Sequence, residues 1–317
     1  MTEPSGERPS GDSHRRSGWL PTSTAFHIFL LVASALTMGA AGLYATELSP
    51  FRPDEWTGGA VLTALSYLLW MMAIVAAHEA GHYVAARRRG VAVSRPYFLP
   101  GIGPFPEIGV IPFFGTFGAF IQMQWKRVRA VDLIAIAAWG PVAGFLVTVP
   151  AVIIGVALSE PTIIADDDGL LILGDSLLIM GATEVFHPEM GPQEELFLHP
   201  IALAGWVGCL LTALNLLPMG QLDGGHLLYG LFGDRSQVVS LGTFGGLVLL
   251  GILVFPGWLL LAVLVWWMGL RHPPMLVGDP AEGRQGALAW WCVPIFILTF
   301  TPAPVVVDAV PQWFGWW

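Results

Sequence analysis

Charge is what this sequence has least of. Only 12% of its 317 residues are charged and 55% are apolar. A soluble globular chain carries roughly 25% charged residues, so a water-facing surface over most of the chain is excluded. Lysine is almost missing: Lys126 stands alone and the other basic residues are arginines. With a net charge of −9, that leaves no basic face for a nucleic-acid backbone. Cysteine is scarce too. Cys209 and Cys292 each fall inside an apolar run, which excludes a disulfide framework and a cysteine-based metal site and leaves two buried thiols.

What the chain does have is long apolar runs. Residues 25–46, 60–86, 131–157, 200–217, 238–255, 258–268 and 286–301 are candidates for the stretch of about 20 residues that crosses a bilayer. The expectation is an all-α polytopic membrane protein of about seven transmembrane helices. Residues 1–23 are polar and rich in Ser, Gly, Pro and Arg, the composition of a disordered tail. Residues 24–317 then form one integral membrane domain with its core in 60–274. The first run is too long for a signal-peptide core and lacks a clear cleavage site, so it is read as retained.

Charge sets the sidedness. Arg8, Arg15 and Arg16 precede the first run, and Arg87, Arg88 and Arg89 follow the second. The positive-inside rule puts the N-terminus and residues 271–284 in the cytoplasm, in a multi-pass protein of the cell membrane. The loop 159–199 holds Glu160, Asp175, Glu184 and Glu195 with no Lys or Arg, so it belongs outside. His187 and His199 lie in that loop and are read as ordinary structural histidines. Residues 90–124 are crowded with Pro and Gly yet bounded on both sides by arginines. No straight helix tolerates that composition. The segment therefore leaves and returns on one side, as a cytoplasmic-side re-entrant loop or β-hairpin whose extended edge can accept a peptide as an added strand.

Near the end of the second run stands His78-Glu79-Ala80-Gly81-His82. Four residues on an α-helix is about 400° of rotation, so both histidines point the same way, one turn apart. Two imidazoles so placed can share one Zn²⁺, and Glu79 can take a proton from a water held there. Ionisable groups in a spanning run are costly and are functional candidates by default. The helix places the pair roughly 8–14 Å inside its cytoplasmic end. The fourth run ends Asn215-Leu216-Leu217-Pro218, and Asp223-Gly224-Gly225-His226 follows. It reaches the same side of the membrane as the histidines. Two His and one carboxylate make a catalytic zinc set. Asp223 can instead cap a new helix over 226–232, and His226 is open as an alternative third ligand. Gly140-Pro141-Val142-Ala143-Gly144 in the third run reads as helix packing.

The pairing of His78-Glu79-Ala80-Gly81-His82 with Asn215 to Pro218 and Asp223-Gly224 resembles the site-2 proteases, zinc metalloproteases that cut within membranes. The family patterns, H-E-x-x-H and N-x-x-P-x-x-x-x-D-G, match in order and spacing. The run through Leu222-Asp223-Gly224-Gly225-His226 is most similar to the plastid and prokaryotic branch. Gly140 to Gly144 resembles a packing motif of the family whose usual terminal Asn is Gly144 here. The likeness covers residues 60–274. It implies that His78, His82 and Asp223 hold one zinc ion and that Glu79 is general base and acid. Asn215 would lie near the metal, where it orients the substrate backbone or steadies the oxyanion. Gly115, Thr116, Phe117 and Gly118 would belong to a substrate-binding strand beside the site.

The function implied is an intramembrane endopeptidase acting on transmembrane segments of membrane-anchored proteins, with the bilayer and the substrate as its partners and no nucleic acid. The alternatives are a metal-ion transporter or channel using the His/Asp cluster and a non-proteolytic membrane scaffold. A transporter calls for further ionisable residues along one path, and the third, fifth, sixth and seventh runs carry none apart from Asp132 near an end. A scaffold has no use for Glu79, which is not a ligand.

Overall fold

The computed structural model describes residues 23–46, 48–101, 114–123, 128–163, 172–191, 193–270, 272, 279–281 and 283–306. The expected tail over 1–22, residues 102–113 of the Pro/Gly-rich segment, most of the loop 271–284 and residues 307–317 lie outside them.

The described chain is mostly helical. Helix α1 covers Thr24–Tyr44, α2 Gly58–Arg88 and α3 Ala130–Ala157. These three are long and apolar enough to cross a membrane, and so is the stretch Asp223–Leu253. That last stretch is α6, Asp223–Phe232, and α7, Ser236–Leu253, joined by a 3₁₀ turn over Gly233–Arg235. The sequence suggests a short helix from His226 and a separate run from 238; the two are nearly continuous because only that turn, entered through Gly233 at φ 57°, divides them. Helices α5 (Pro200–Leu216), α8 (Gly257–Met268) and α9 (Ala287–Thr299) are apolar but shorter. Between α3 and α5 lies α4, Leu177–Phe186, capped by the Ser176 hydroxyl.

Helix ends follow local chemistry. Thr57 caps α2, and three consecutive arginines, ending at the C-cap Arg89, occupy its last turn, where cations oppose the negative helix end. Arg89 and Arg129 both reach Asp132, at 3.4 and 2.8 Å, fastening the end of α2 to the start of α3. Helix α5 stops because Pro218 forces Leu217 into extended backbone at ψ 127°.

Helices α2, α3 and α5 form the centre. Tyr67, Met71, Val152, Val156 and Trp206 are buried where they meet. Small residues set the distance: a methyl on Gly155 would strike the backbone of Ala202, and one on Gly205 would strike Val152. Buried polar tips find main-chain partners. The Tyr67 hydroxyl donates to the Phe114 carbonyl at 2.6 Å, and Trp206 Nε1 donates to Gly174 at 2.7 Å. The outward faces of α7 and α8 carry exposed Val238, Leu249, Ile252, Leu260, Trp266 and Trp267. Such a surface suits hydrocarbon rather than water.

Within residues 90–124 the chain makes an antiparallel pair, β1 (Tyr97–Pro100) with β2 (Thr116–Phe120). Its register joins Tyr97 to Phe120 and Phe98 to Ala119, with a bulge before the Pro100–Thr116 pair. The Thr37 hydroxyl of α1 donates to the Gly115 carbonyl at 2.7 Å and docks the pair on α1. Two more small antiparallel pairs lie elsewhere. Strand β3 (Glu160–Ile163) pairs with β5 (Glu194–Phe197), and β4 (Ile172–Leu173) with β6 (Val305–Val306).

Candidate metal centre

His78 and His82 project from one face of α2. Their rings lie 4.8 Å apart at 70°, and their Nε2 atoms are 3.0 Å apart. Asp223, the first residue of α6, brings Oδ2 to 3.3 Å from His78 Nε2 and 3.2 Å from His82 Nε2. The helix-cap alternative does not hold. Leu222 is the N-cap, and the Asp223 side chain turns to the histidines instead. Helix α6 can begin there because Gly224 and Gly225 lie against the carbonyls of Leu216, Met219 and Gly220, where a Cβ would collide.

These three atoms fit one tetrahedral zinc ion. Bonds of about 2.0–2.1 Å put tetrahedral ligands roughly 3.3 Å from one another, close to the 3.0–3.3 Å seen. Among the described residues, His78, His82 and Asp223 form the group able to hold a metal. The tautomer also fits. His82 Nδ1 donates to the Ile136 carbonyl at 2.8 Å. That bond leaves Nε2 with a free lone pair toward Asp223, the arrangement common among metal-binding histidines.

Helix α3 is what holds the face together. Gly140 sits directly over the His82 ring, and Gly81 nests against the Trp139 carbonyl. A Cβ on Gly144 would come within 3.2 Å of the His78 Cβ. The small residues of the third run thus pack against the site itself. The expected effect of Gly140→Ala is loss of most bound zinc, since the added methyl overlaps the ring it must leave in place. Gly242→Ala, which meets open space on α7, is the control and should keep its metal. Equal zinc content in the two purified variants would refute this account.

Glu79 lies in the same helical turn, 4% exposed. Its Oε2 is buried and has no hydrogen-bond partner among the described residues. Buried carboxylate oxygens are normally bonded, so this one stands out, and Glu79 is among the residues that border the neighbouring cavity. The cavity has a volume of about 280 Å³ and is bounded by His78, Glu79, His82, Asn215, Asp223 and His226. Asn215 arrives on the last turn of α5.

From the β1–β2 side, the residues that reach the cavity are Ala119, Phe120, Ile121 and Met123. Gly115, Thr116, Phe117 and Gly118 are not among its walls. They form the anchored start of β2: Gly115 abuts the backbone of Met38 on α1, and Thr116 Oγ1 donates to the Leu99 carbonyl at 2.9 Å. His226 borders the cavity but makes a contact of its own. Its Nδ1 lies 2.6 Å from His272 Nε2, and the His272 ring stacks on Tyr229 at 4.0 Å. The loop histidines have the structural roles expected of them. His187 Nε2 donates to the Val156 carbonyl, and His199 Nδ1 caps α5 by accepting from Ile201 N. Sequence reasoning missed the Ile136 carbonyl and the Phe120 wall. A main-chain acceptor leaves no mark in a sequence, whereas Phe120 sits two residues beyond Gly118 on a strand the sequence does show.

Comparison with known proteins agrees with the geometry. Among relatives, the chain is similar to "Probable zinc metalloprotease EGY1, chloroplastic" of Arabidopsis thaliana, 32% identical over 61% of this chain and 34% of the relative. It is likewise similar to the protein of the same name in Oryza sativa subsp. japonica, 30% identical over 77% of this chain and 41% of the relative. A third, "Probable zinc metalloprotease EGY2, chloroplastic" of Arabidopsis thaliana, is 26% identical over 61% of this chain and 32% of the relative. The chain thus spans 32–41% of the length of these curated relatives. No solved structure matches. Residues 66–253, more than half the chain and the part that contains His78, Glu79, His82, Asn215 and Asp223, match Peptidase family M50, and this protein belongs to that family.

Proposed function

We propose that this protein is an intramembrane zinc endopeptidase that cleaves transmembrane segments of membrane-anchored proteins. The observation that carries the reading is the convergence of His78 Nε2, His82 Nε2 and Asp223 Oδ2 to 3.0–3.3 Å from one another, within bonding reach of one zinc ion, beside Glu79, whose buried Oε2 has no partner among the described residues. The zinc names of the relatives agree with that ligand set.

His78, His82 and Asp223 would hold the ion, which when bound lowers the pKa of water toward 7 and polarises the scissile carbonyl. Glu79 accepts the proton of the attacking water and delivers it to the leaving amide nitrogen. Its burial among apolar helices keeps bulk water from competing for that proton. Asn215 offers a side-chain amide at the cavity wall to the substrate backbone or to the oxygen that becomes charged. A transmembrane substrate arrives as a helix whose carbonyls are already hydrogen-bonded. Local unwinding is needed, and β2 offers an extended neighbour for the unwound segment.

In this reading the protein is one integral membrane unit over 24–317 with about seven spans, and residues 90–124 are a re-entrant hairpin on the cytoplasmic side. Arg87, Arg88 and Arg89 at the end of α2 mark that side by the positive-inside rule. The N-terminus and 271–284 share it, and 160–199 lies outside. Single cysteines placed at Arg88 and Glu184, in a background lacking Cys209 and Cys292, should label from opposite sides of the cell membrane. Labelling from the same side would sink the topology. The activity itself is tested by purified protein on a panel of membrane-anchored peptides, with and without chelator. Cleavage that a chelator stops and zinc restores is the expected result; chelator-resistant cleavage would end the zinc mechanism.

A further inference from the structure

Helix α6 carries Asp223 on its first turn, and that turn has weak local support. Its N-cap, Leu222, makes no side-chain hydrogen bond, and Gly224-Gly225 are poor helix formers. The support comes from the chain at and beyond the end of α8. Just ahead of Asp223, Gln221 Nε2 donates to the Met268 carbonyl at 3.0 Å. Toward the far end of α6, the Gly230 carbonyl accepts from Ala281 N at 2.9 Å. Between these two ties stands His272. Its Nε2 meets His226 Nδ1 at 2.6 Å with the two rings at 82°, and its ring lies flat on Tyr229, 4.0 Å away at 13°. Tyr229 is itself buried against Val128 and Leu133.

Asp223, His226 and Tyr229 are spaced by three, so they line one face of α6. His272 grips the second and third members of a face whose first member is the metal ligand. His226 N also donates to the Leu222 carbonyl at 3.0 Å, the first bond of the helix, and that bond closes the turn in which Asp223 lies. Asp223 Oδ2 stands within 3.3 Å of both imidazole nitrogens, and its short side chain cannot make up for a shift of that turn. We propose that His272 is a positioning residue of the metal centre: it fixes His226, and through it the turn that carries Asp223, without being a ligand. The inference rests on the ligand assignment above and adds to it a supporting group from a distant stretch of chain.

The test is the zinc Kd of the purified protein, read by competition with a chelator, beside the visible spectrum of the Co²⁺-substituted form. His272→Ala is expected to bind zinc about 10–100-fold more weakly, the range for a group that supports a ligand, and to shift the Co²⁺ bands. His272→Gln, whose amide can take up the bond to His226, should return to within about 3-fold of wild type. His272→Phe, which keeps only the stack on Tyr229, should not. If the alanine variant fails to fold, the contrast between Gln and Phe decides alone. Because the effect runs through His226, the double variant His226→Ala with His272→Ala should bind zinc no more weakly than His226→Ala. A role confined to holding the loop would lower the melting temperature of His272→Ala and leave its zinc Kd and Co²⁺ spectrum as in wild type. That result, a Gln variant no better than Phe, or a double variant at least about 10-fold weaker than His226→Ala, overturns the inference and leaves the ligand assignment standing. Wild type that binds zinc no more tightly than Asp223→Asn overturns the assignment itself.

Discussion

Glu79→Gln is expected to retain its zinc and to lose cleavage by roughly 10²–10⁴-fold, the range for a positioned general acid–base group. Glu79 is outside the set whose ligand atoms converge, which is His78, His82 and Asp223. Its own Oε2 has no protein partner among the described residues. Glutamine keeps the shape and removes the proton-accepting oxygen, so the ligand shell has no reason to change. Taking a charge out of an apolar helix interface does not threaten folding either. Metal analysis beside a cleavage assay reads both halves. Zinc loss, or turnover near wild type, would contradict the role.

The second large effect separates Asp223 from His226. Asp223→Asn is expected to abolish cleavage and strip the metal, because its Oδ2 is, among the described residues, the one anionic atom within 3.3 Å of both imidazole nitrogens. An amide oxygen there is a weak, uncharged substitute. His226→Ala is expected to keep measurable metal and activity, with a fall of at most about 10–100-fold, the range for a supporting group. The sequence leaves His226 open as the third ligand. The structure gives it a different neighbour, with Nδ1 2.6 Å from His272 and its ring edge-on to that residue. Zinc content of the two variants, measured after dialysis at one free-zinc concentration, decides the matter. An emptied site in His226→Ala beside a full one in Asp223→Asn would reverse the assignment.

Much of this was legible in the residues. The helical period alone puts His78 and His82 on one face, and arginine placement alone brings the end of α5 to their depth. The runs over 25–46, 60–86 and 131–157 agree with α1, α2 and α3 to within two residues, because apolar length is a strong signal. The contacts that need two distant pieces of chain to touch were not legible. Gly140 over His82 looks in sequence like any small-residue helix contact. His226 and His272 are 46 residues apart, and no local pattern joins them. Asp223 turning away from a cap is likewise a matter of where α2 lies. The sequence singles out Gly115 to Gly118 for the substrate strand, whereas the residues of that segment that border the cavity include Ala119 to Ile121. Glycines advertise a strand's strained start, while the residues that meet the cavity carry no such mark.

His82 takes its orientation from a carbonyl, and that choice shapes what heredity can do to the site. Every amino acid at position 136 brings the same oxygen, so no point mutation there erases the acceptor that holds Nδ1. The acceptor can be lost only by moving it, through a change in the spacing of α2 and α3. Vulnerability is thereby shifted from the partner to the packing. A random mutagenesis screen for inactive protein should return few hits at Ile136 and many at Gly81 and Gly140, positions that carry no chemistry and only keep two helices near enough to touch.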